Sequence, residues 1–123
     1  MKQKIVLEYP INSSQKVLYA RLSTPGGLAE WFADDVNVRG NVFYFFWEGA
    51  EQVAELVQKK ENKFIRFQWV DEPECYFEFR INTDEITKDV ALVITDFADE
   101  GEKEDTIDLW DTQINKLKHT IGL

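Results

Sequence analysis

Between Asp35 and Phe97 the hydrophobic pattern settles to a period near two and holds it through six short runs. These cover roughly Asp35 to Arg39, Val42 to Glu48, Glu51 to Lys60, Lys63 to Val70, Cys75 to Asp84 and Lys88 to Phe97. Alternation of this kind places successive side chains on opposite faces of a strand. The runs are rich in Val, Ile, Phe, Tyr and Trp, which suit a pleated, half-buried surface. Gly40-Asn41, Gly49-Ala50, Glu61-Asn62 and Glu85 to Thr87 connect successive runs with too few residues for a crossover, so neighbouring strands must run antiparallel. The segment therefore predicts a meander with one dry and one wet face. Ile65, Phe67, Trp69, Phe77, Phe79 and Ile81 share the dry parity, whereas Phe64, Arg66, Gln68, Glu78 and Arg80 take the other. In Val42 to Trp47 both parities are apolar, which predicts either cover on both sides or an exposed interaction surface.

The flanks have different periods. Lys2 to Tyr9 contains Ile5-Val6-Leu7 and is closed by Pro10, as expected of another strand. Asn12, Ser13 and Ser14 offer caps to a helix starting near Gln15, with Val17, Leu18 and Leu22 along one face. Thr24-Pro25 starts a second short helix, with Gly26-Gly27 in its first turn, that carries Leu28, Trp31 and Phe32 to a break at Asp34-Asp35. At the other end, Ile107, Trp110, Ile114, Leu117 and Ile121 recur at spacings of three and four. That stripe predicts a helix of roughly 20 residues, about 30 Å long, enough to cross a sheet. Acidic residues from Asp99 to Asp105 lie where the helix dipole favours them, and Gly122 supplies a stop. The expected class is α+β: a curved antiparallel sheet of about seven strands around a long C-terminal helix, within one domain spanning 1–123.

Charge and composition exclude several functions. Fourteen basic and 23 acidic residues give a net charge of −9, which disfavours phosphate backbones and anionic lipid surfaces. Nucleic acid and membrane are therefore not expected partners. Cys75 is the single cysteine, so no internal disulfide can form, and without a leader-like N-terminus the expected compartment is the cytoplasm. One Cys and one His cannot furnish the usual nitrogen and sulfur set for zinc. The acidic cluster Asp96, Asp99, Glu100, Glu102, Glu104 and Asp105 lacks the alternating calcium-loop pattern and reads as a solvated loop and helix start. His119 lies off the helix stripe, and Cys75 has no partner signature of a nucleophile. With no phosphate-cradling loop and no serine elbow, no catalytic residue and no cofactor are expected. Parity assigns Arg66, Glu78 and Arg80 to the wet face, where cross-strand ion pairs are ordinary.

Several local patterns carry a family resemblance. They are Val17-Leu18-Tyr19-Ala20-Arg21-Leu22-Ser23-Thr24-Pro25, the Trp31-Phe32 pair, Gly40 before an aromatic strand ending in Trp47, and Phe67-Gln68-Trp69. Together with the element order, they resemble the helix-grip fold of the START-like, Bet v 1-like (SRPBCC) superfamily over essentially the whole chain, in particular its Aha1-like branch. The resemblance implies a menu of roles, from binding hydrophobic small molecules to catalysis or assisting a chaperone, and does not choose among them.

Nine Phe, four Tyr and four Trp make rings the dominant material. The expected site is a cavity between sheet and C-terminal helix, lined from among Trp31, Phe32, Phe45, Trp47, Phe67, Trp69, Phe77, Phe79, Trp110 and Ile114, and taking a small hydrophobic molecule. The alternative is that these rings pack against one another and fill the core, leaving a protein-interaction or homodimerising module. The apolar strand Val42 to Trp47 and the off-stripe Leu109 would then supply the outer surface.

Overall fold

The computed structural model describes residues 2–123. Its elements are β1 (Lys2–Pro10), α1 (Gln15–Ser23), α2 (Pro25–Trp31), β2 (Asp35–Arg39), β3 (Val42–Trp47), β4 (Ala50–Lys60), β5 (Phe64–Trp69), β6 (Tyr76–Thr83), β7 (Val90–Asp99) and α3 (Lys103–Ile121). All seven strands form one antiparallel sheet in the order β1-β7-β6-β5-β4-β3-β2. Six consecutive strands are thus a meander, and β1 closes the far side by pairing with β7, from Lys2 opposite Asp99 to Pro10 opposite Ala91. Around Val57 the β4–β5 register shifts, a bulge of the kind that bends a strand.

Register sets the inner row. Phe67 faces Phe77, Ile65 faces Phe79, Phe79 faces Ile94 and Ile81 faces Leu92, and all are buried. Over this row lie the helices. Ser14 caps α1 through Oγ to the Val17 N–H (3.1 Å), and Leu18, Tyr19 and Leu22 form its buried face. Val17, read from the sequence as part of that face, is exposed instead; Tyr19 takes the place beneath the helix. Thr24 caps α2 by accepting from the Gly27 N–H (3.0 Å). The lack of a side chain at Gly27 lets α2 seat on α1. A Cβ there would strike the Ala20 carbonyl and come within 2.7 Å of Arg21 Cα. Trp31 Nε1 donates to the Arg21 carbonyl (2.8 Å), fastening the two helices from the other side.

α3 buries Trp110, Ile114 and Leu117, with Ile107 and Ile121 partly covered at its ends. Each fully buried apolar side chain contributes about 1.5–3 kcal/mol, so the stripe is a main contribution to seating the helix on the sheet. Glu104 and Asp105 occupy the first turn, and Gly122 ends the helix in the left-handed region at φ 93°. Tyr9 donates its hydroxyl to Asp111 Oδ1 (2.6 Å), tying α3 to β1. None of the described helices is long and apolar enough to cross a membrane.

The opposite face of the sheet is not simply wet. Glu78 is only 6% exposed because Arg66 and Arg80 close over it, with Arg66 Nη2 at 2.9 Å and Arg80 Nε at 3.3 Å from its carboxylate. The two guanidinium groups lie over Tyr76 and Phe64, at 4.2 and 4.3 Å from the ring centroids. Parity therefore finds the face and the ion pairs, while the ring platforms explain why a carboxylate can be covered there. In β3, Phe43 and Phe45 point inward and are buried; Val42, Tyr44 and Phe46 are half-buried on the outer side.

Candidate functional site

The interior divides at Phe32. This residue caps the C-terminus of α2, and its ring lies 5.2–5.8 Å from those of Trp31, Phe45, Trp47, Phe77, Phe79 and Trp110. On one side the rings interlock. Phe67 stacks on Phe77 at 4.9 Å, Phe43 meets Phe67 edge-on at 4.8 Å, and Trp31 tilts against Phe79 at 5.5 Å. Such offset and edge-to-face arrangements bring the positive edge of one ring to the negative face of another. Of the ten residues named from the sequence, Trp31, Phe45, Phe67, Phe77, Phe79 and Ile114 are held in this solid part.

On the other side the groove is open, with a volume of about 400 Å³. Phe32, Trp47, Trp69 and Trp110 line it, together with Gln52, Asp96, Thr106, Leu109 and Gln113. The sheet contributes Trp47 from the end of β3, Gln52 from β4, Trp69 from the end of β5 and Asp96 from β7; the first turns of α3 form the opposite wall. Leu109 is 58% exposed at the rim.

Polar atoms hold this mouth in shape. The Phe32 carbonyl accepts from Trp47 Nε1 (2.7 Å) and from Gln113 Nε2 (3.0 Å), joining α2 to β3 and to α3 through one oxygen. Asp96 Oδ2 accepts from Trp110 Nε1 (2.8 Å) and Oδ1 from the backbone N–H of Phe97 (2.8 Å). Desolvation holds the Asp96 carboxyl above its usual range, opposed by these two hydrogen bonds and by the Lys2 charge.

Asp96 is the main correction to the sequence reading, which placed it in the solvated acidic cluster before the last helix. Asp96 lies inside β7, where it shares the inward parity of Leu92 and Ile94 and pairs with the buried Ile5 of β1. Gln52 and Gln113 were not identified from the sequence either. Gln52 shares the inward parity of Ala54, and Gln113 immediately precedes Ile114 on α3, so both lie beside the apolar pattern.

Two other chemical groups are not part of this lining. His119 is exposed near the end of α3. Cys75 is buried just ahead of β6, and its Sγ lies 3.9 Å from Glu72 Oε2. The Glu72, Glu74 and Cys75 ligand atoms fall within 4.8 Å of one another. Burial, reinforced by both carboxylates, pushes the thiol pKa up, the opposite of the shift that activates a cysteine nucleophile.

Comparison with known proteins agrees with this architecture. A family model described as a START-like superfamily domain matches residues 1–123. A Bacteroides fragilis protein, BfR322, solved by NMR, is 41% identical with a TM-score of 0.70, over 99% of this chain and 93% of that one. The solution structure of the Aha1 dimer from Colwellia psychrerythraea aligns with a TM-score of 0.76 at 21% identity, covering 94% of this chain and 93% of its own. The Mesorhizobium loti protein MLL2253 gives 0.75 at 16%, covering 97% and 96%. No curated protein matches this chain in sequence. The likeness to the last two structures concerns the fold alone, but the full-length family match and the 41% identical relative go further: the chain belongs to the START-like superfamily.

Proposed function

We propose that this protein is a non-catalytic binding domain that takes a small hydrophobic molecule in the opening between the sheet and the first turns of α3. The observation that carries the reading is the opening itself: about 400 Å³ bounded by Phe32 and three tryptophans, with a few polar groups among them. Ligand pockets are typically clefts of about 300–1,000 Å³ with apolar walls and a small number of polar groups that orient the occupant. The ten-residue lining drawn from the sequence narrows in this proposal to Phe32, Trp47, Trp69 and Trp110, the other six acting as the solid floor that places them.

Titration with Nile red, an uncharged apolar dye, tests the proposal. Saturable binding with one site per chain, weakened by Trp69→Ala, is the expected result. Absence of saturable binding would overturn it.

A second reading is a homodimerising or partner-binding module, favoured by Leu109 standing exposed at the rim and by the structural likeness to a protein solved as a dimer. It requires a concentration-dependent mass in light scattering that Leu109→Ser abolishes; a constant monomer mass excludes the dimer form.

A further inference from the structure

The charges around the opening are one-sided. Asp96 is the one ionisable side chain in its lining; Gln52, Thr106 and Gln113 are neutral, and no Lys or Arg among the described residues takes part. Among the described residues a cation, Lys2, stands in the adjoining cleft that shares Gln52, Trp69 and Asp96, and its ammonium pairs with Asp99 (3.5 Å) and Glu72 (3.7 Å). Each Asp96 oxygen accepts one hydrogen bond from the protein, which leaves further acceptor capacity on both. Gln113 uses one of its two amide N–H bonds on Phe32 and keeps its carbonyl oxygen as an acceptor, and the Thr106 hydroxyl donates away to the Glu102 carbonyl (3.0 Å). The wall thus offers amide and indole donors as well as acceptors, but its one formal charge is negative and its apolar surface is largely indole.

Resting on the proposed binding role of this opening, we infer that its ligand is an organic cation: an apolar body bearing one ammonium group, with the charge among Trp47, Trp69 and Trp110 beside the Asp96 carboxylate. Three ligand classes can be compared. An anion meets a carboxylate, and the Lys2 ammonium in the adjoining cleft is already shared between Asp99 and Glu72. A neutral apolar molecule fills the space but strips water from Asp96 without replacing it, which costs free energy. An ammonium group answers the carboxylate and is attracted to the negative faces of aromatic rings, most strongly to indole. The net charge of −9 adds a long-range attraction of the same sign.

The test displaces Nile red from the full chain with three probes of similar size: phenethyl-trimethylammonium, its uncharged isostere with carbon in place of the quaternary nitrogen, and 4-phenylbutyrate. The cation is expected to displace the dye at concentrations at least about tenfold below those of the isostere, with the anion weakest. Asp96→Asn should erase the preference for the cation over the isostere, each displacement being read against the variant's own Nile red affinity. Gln52→Lys, at an exposed position that places a cation in the lining, should do the same and decides the matter if Asp96→Asn fails to fold by circular dichroism. Equal displacement by cation and isostere, or a preference for the anion, overturns the inference while the apolar site stands. A chain that takes up no Nile red removes the site and the inference together.

Discussion

The two sides of Phe32 are built from the same residue types and end in different states. Beneath α2, the rings of Phe45, Phe67, Phe77 and Phe79 are satisfied by other rings and are fully shielded from water. Beneath the first turns of α3, Trp47 and Trp69 are only half-buried, and the indole N–H groups of Trp47 and Trp110 are committed to a backbone carbonyl and a carboxylate. Phenylalanine, with no polar atom, can be packed from every side. Trp47 and Trp110 at the opening each keep one end in a hydrogen bond and leave ring surface toward the groove. Aromatic content alone therefore does not separate a core from a pocket, and neither does an N–H partner, since Trp31 also donates to a backbone carbonyl yet is fully buried; what separates them is whether the ring faces are covered by other rings.

The largest expected effect lies on the solid side. Phe79→Ala should cost about 3–5 kcal/mol in denaturant unfolding, because the surrounding sheet cannot collapse into the space. Trp69→Ala, at the open side, should cost about half as much or less, since part of the ring already meets water. Equal costs at the two positions would break the comparison.

Gly27→Ala sharpens it, because Phe32 belongs to both sides and is carried by α2. The added methyl meets backbone of α1, so the helix has to shift, at about 1–3 kcal/mol. Since α2 also carries one wall of the mouth, Nile red binding should weaken in the same variant under conditions where it is still folded. Loss of stability with unchanged dye binding would show the two sides to be independent.

The smallest effect concerns pH. Asp96 has a native pKa raised above its unfolded value, so its contribution is most favourable below the unfolded carboxylate range, near ~3.9, and is withdrawn as pH rises through the native value. The Tm of Asp96→Asn minus that of the parent should therefore grow more positive between about pH 3 and about pH 7. A difference that stays flat, or falls, would show that the Trp110 and Phe97 hydrogen bonds and Lys2 outweigh desolvation.

The fold was legible because alternation and a three-four stripe are properties of the chain itself: six short-linked runs leave little choice but a meander, and the Trp110, Ile114 and Leu117 stripe needs a surface of that kind to cover. The site was legible only in its materials. Whether Phe77 or Trp69 borders space depends on where α2 ends and how far its last ring reaches, neither of which is a periodic signal. Asp96 was hidden for a different reason. Its parity with Leu92 and Ile94 was available, since the strand reading from Lys88 to Phe97 includes it, but the acidic neighbours drew it into the following loop. Extending the parity of a strand to its last residue would have placed a carboxylate on the inner face.

The Phe32 carbonyl has a consequence for how such a binding site can diversify. The oxygen that joins α2, β3 and α3 belongs to the main chain, so it persists whatever side chain stands at that position. The ring can be exchanged for a smaller or larger group, remodelling the wall between the solid and open parts, while the fastening of the three elements stays in place. Ligand preference and scaffold integrity are thus written at one residue in two separate alphabets, the side chain for the first and the peptide group for the second.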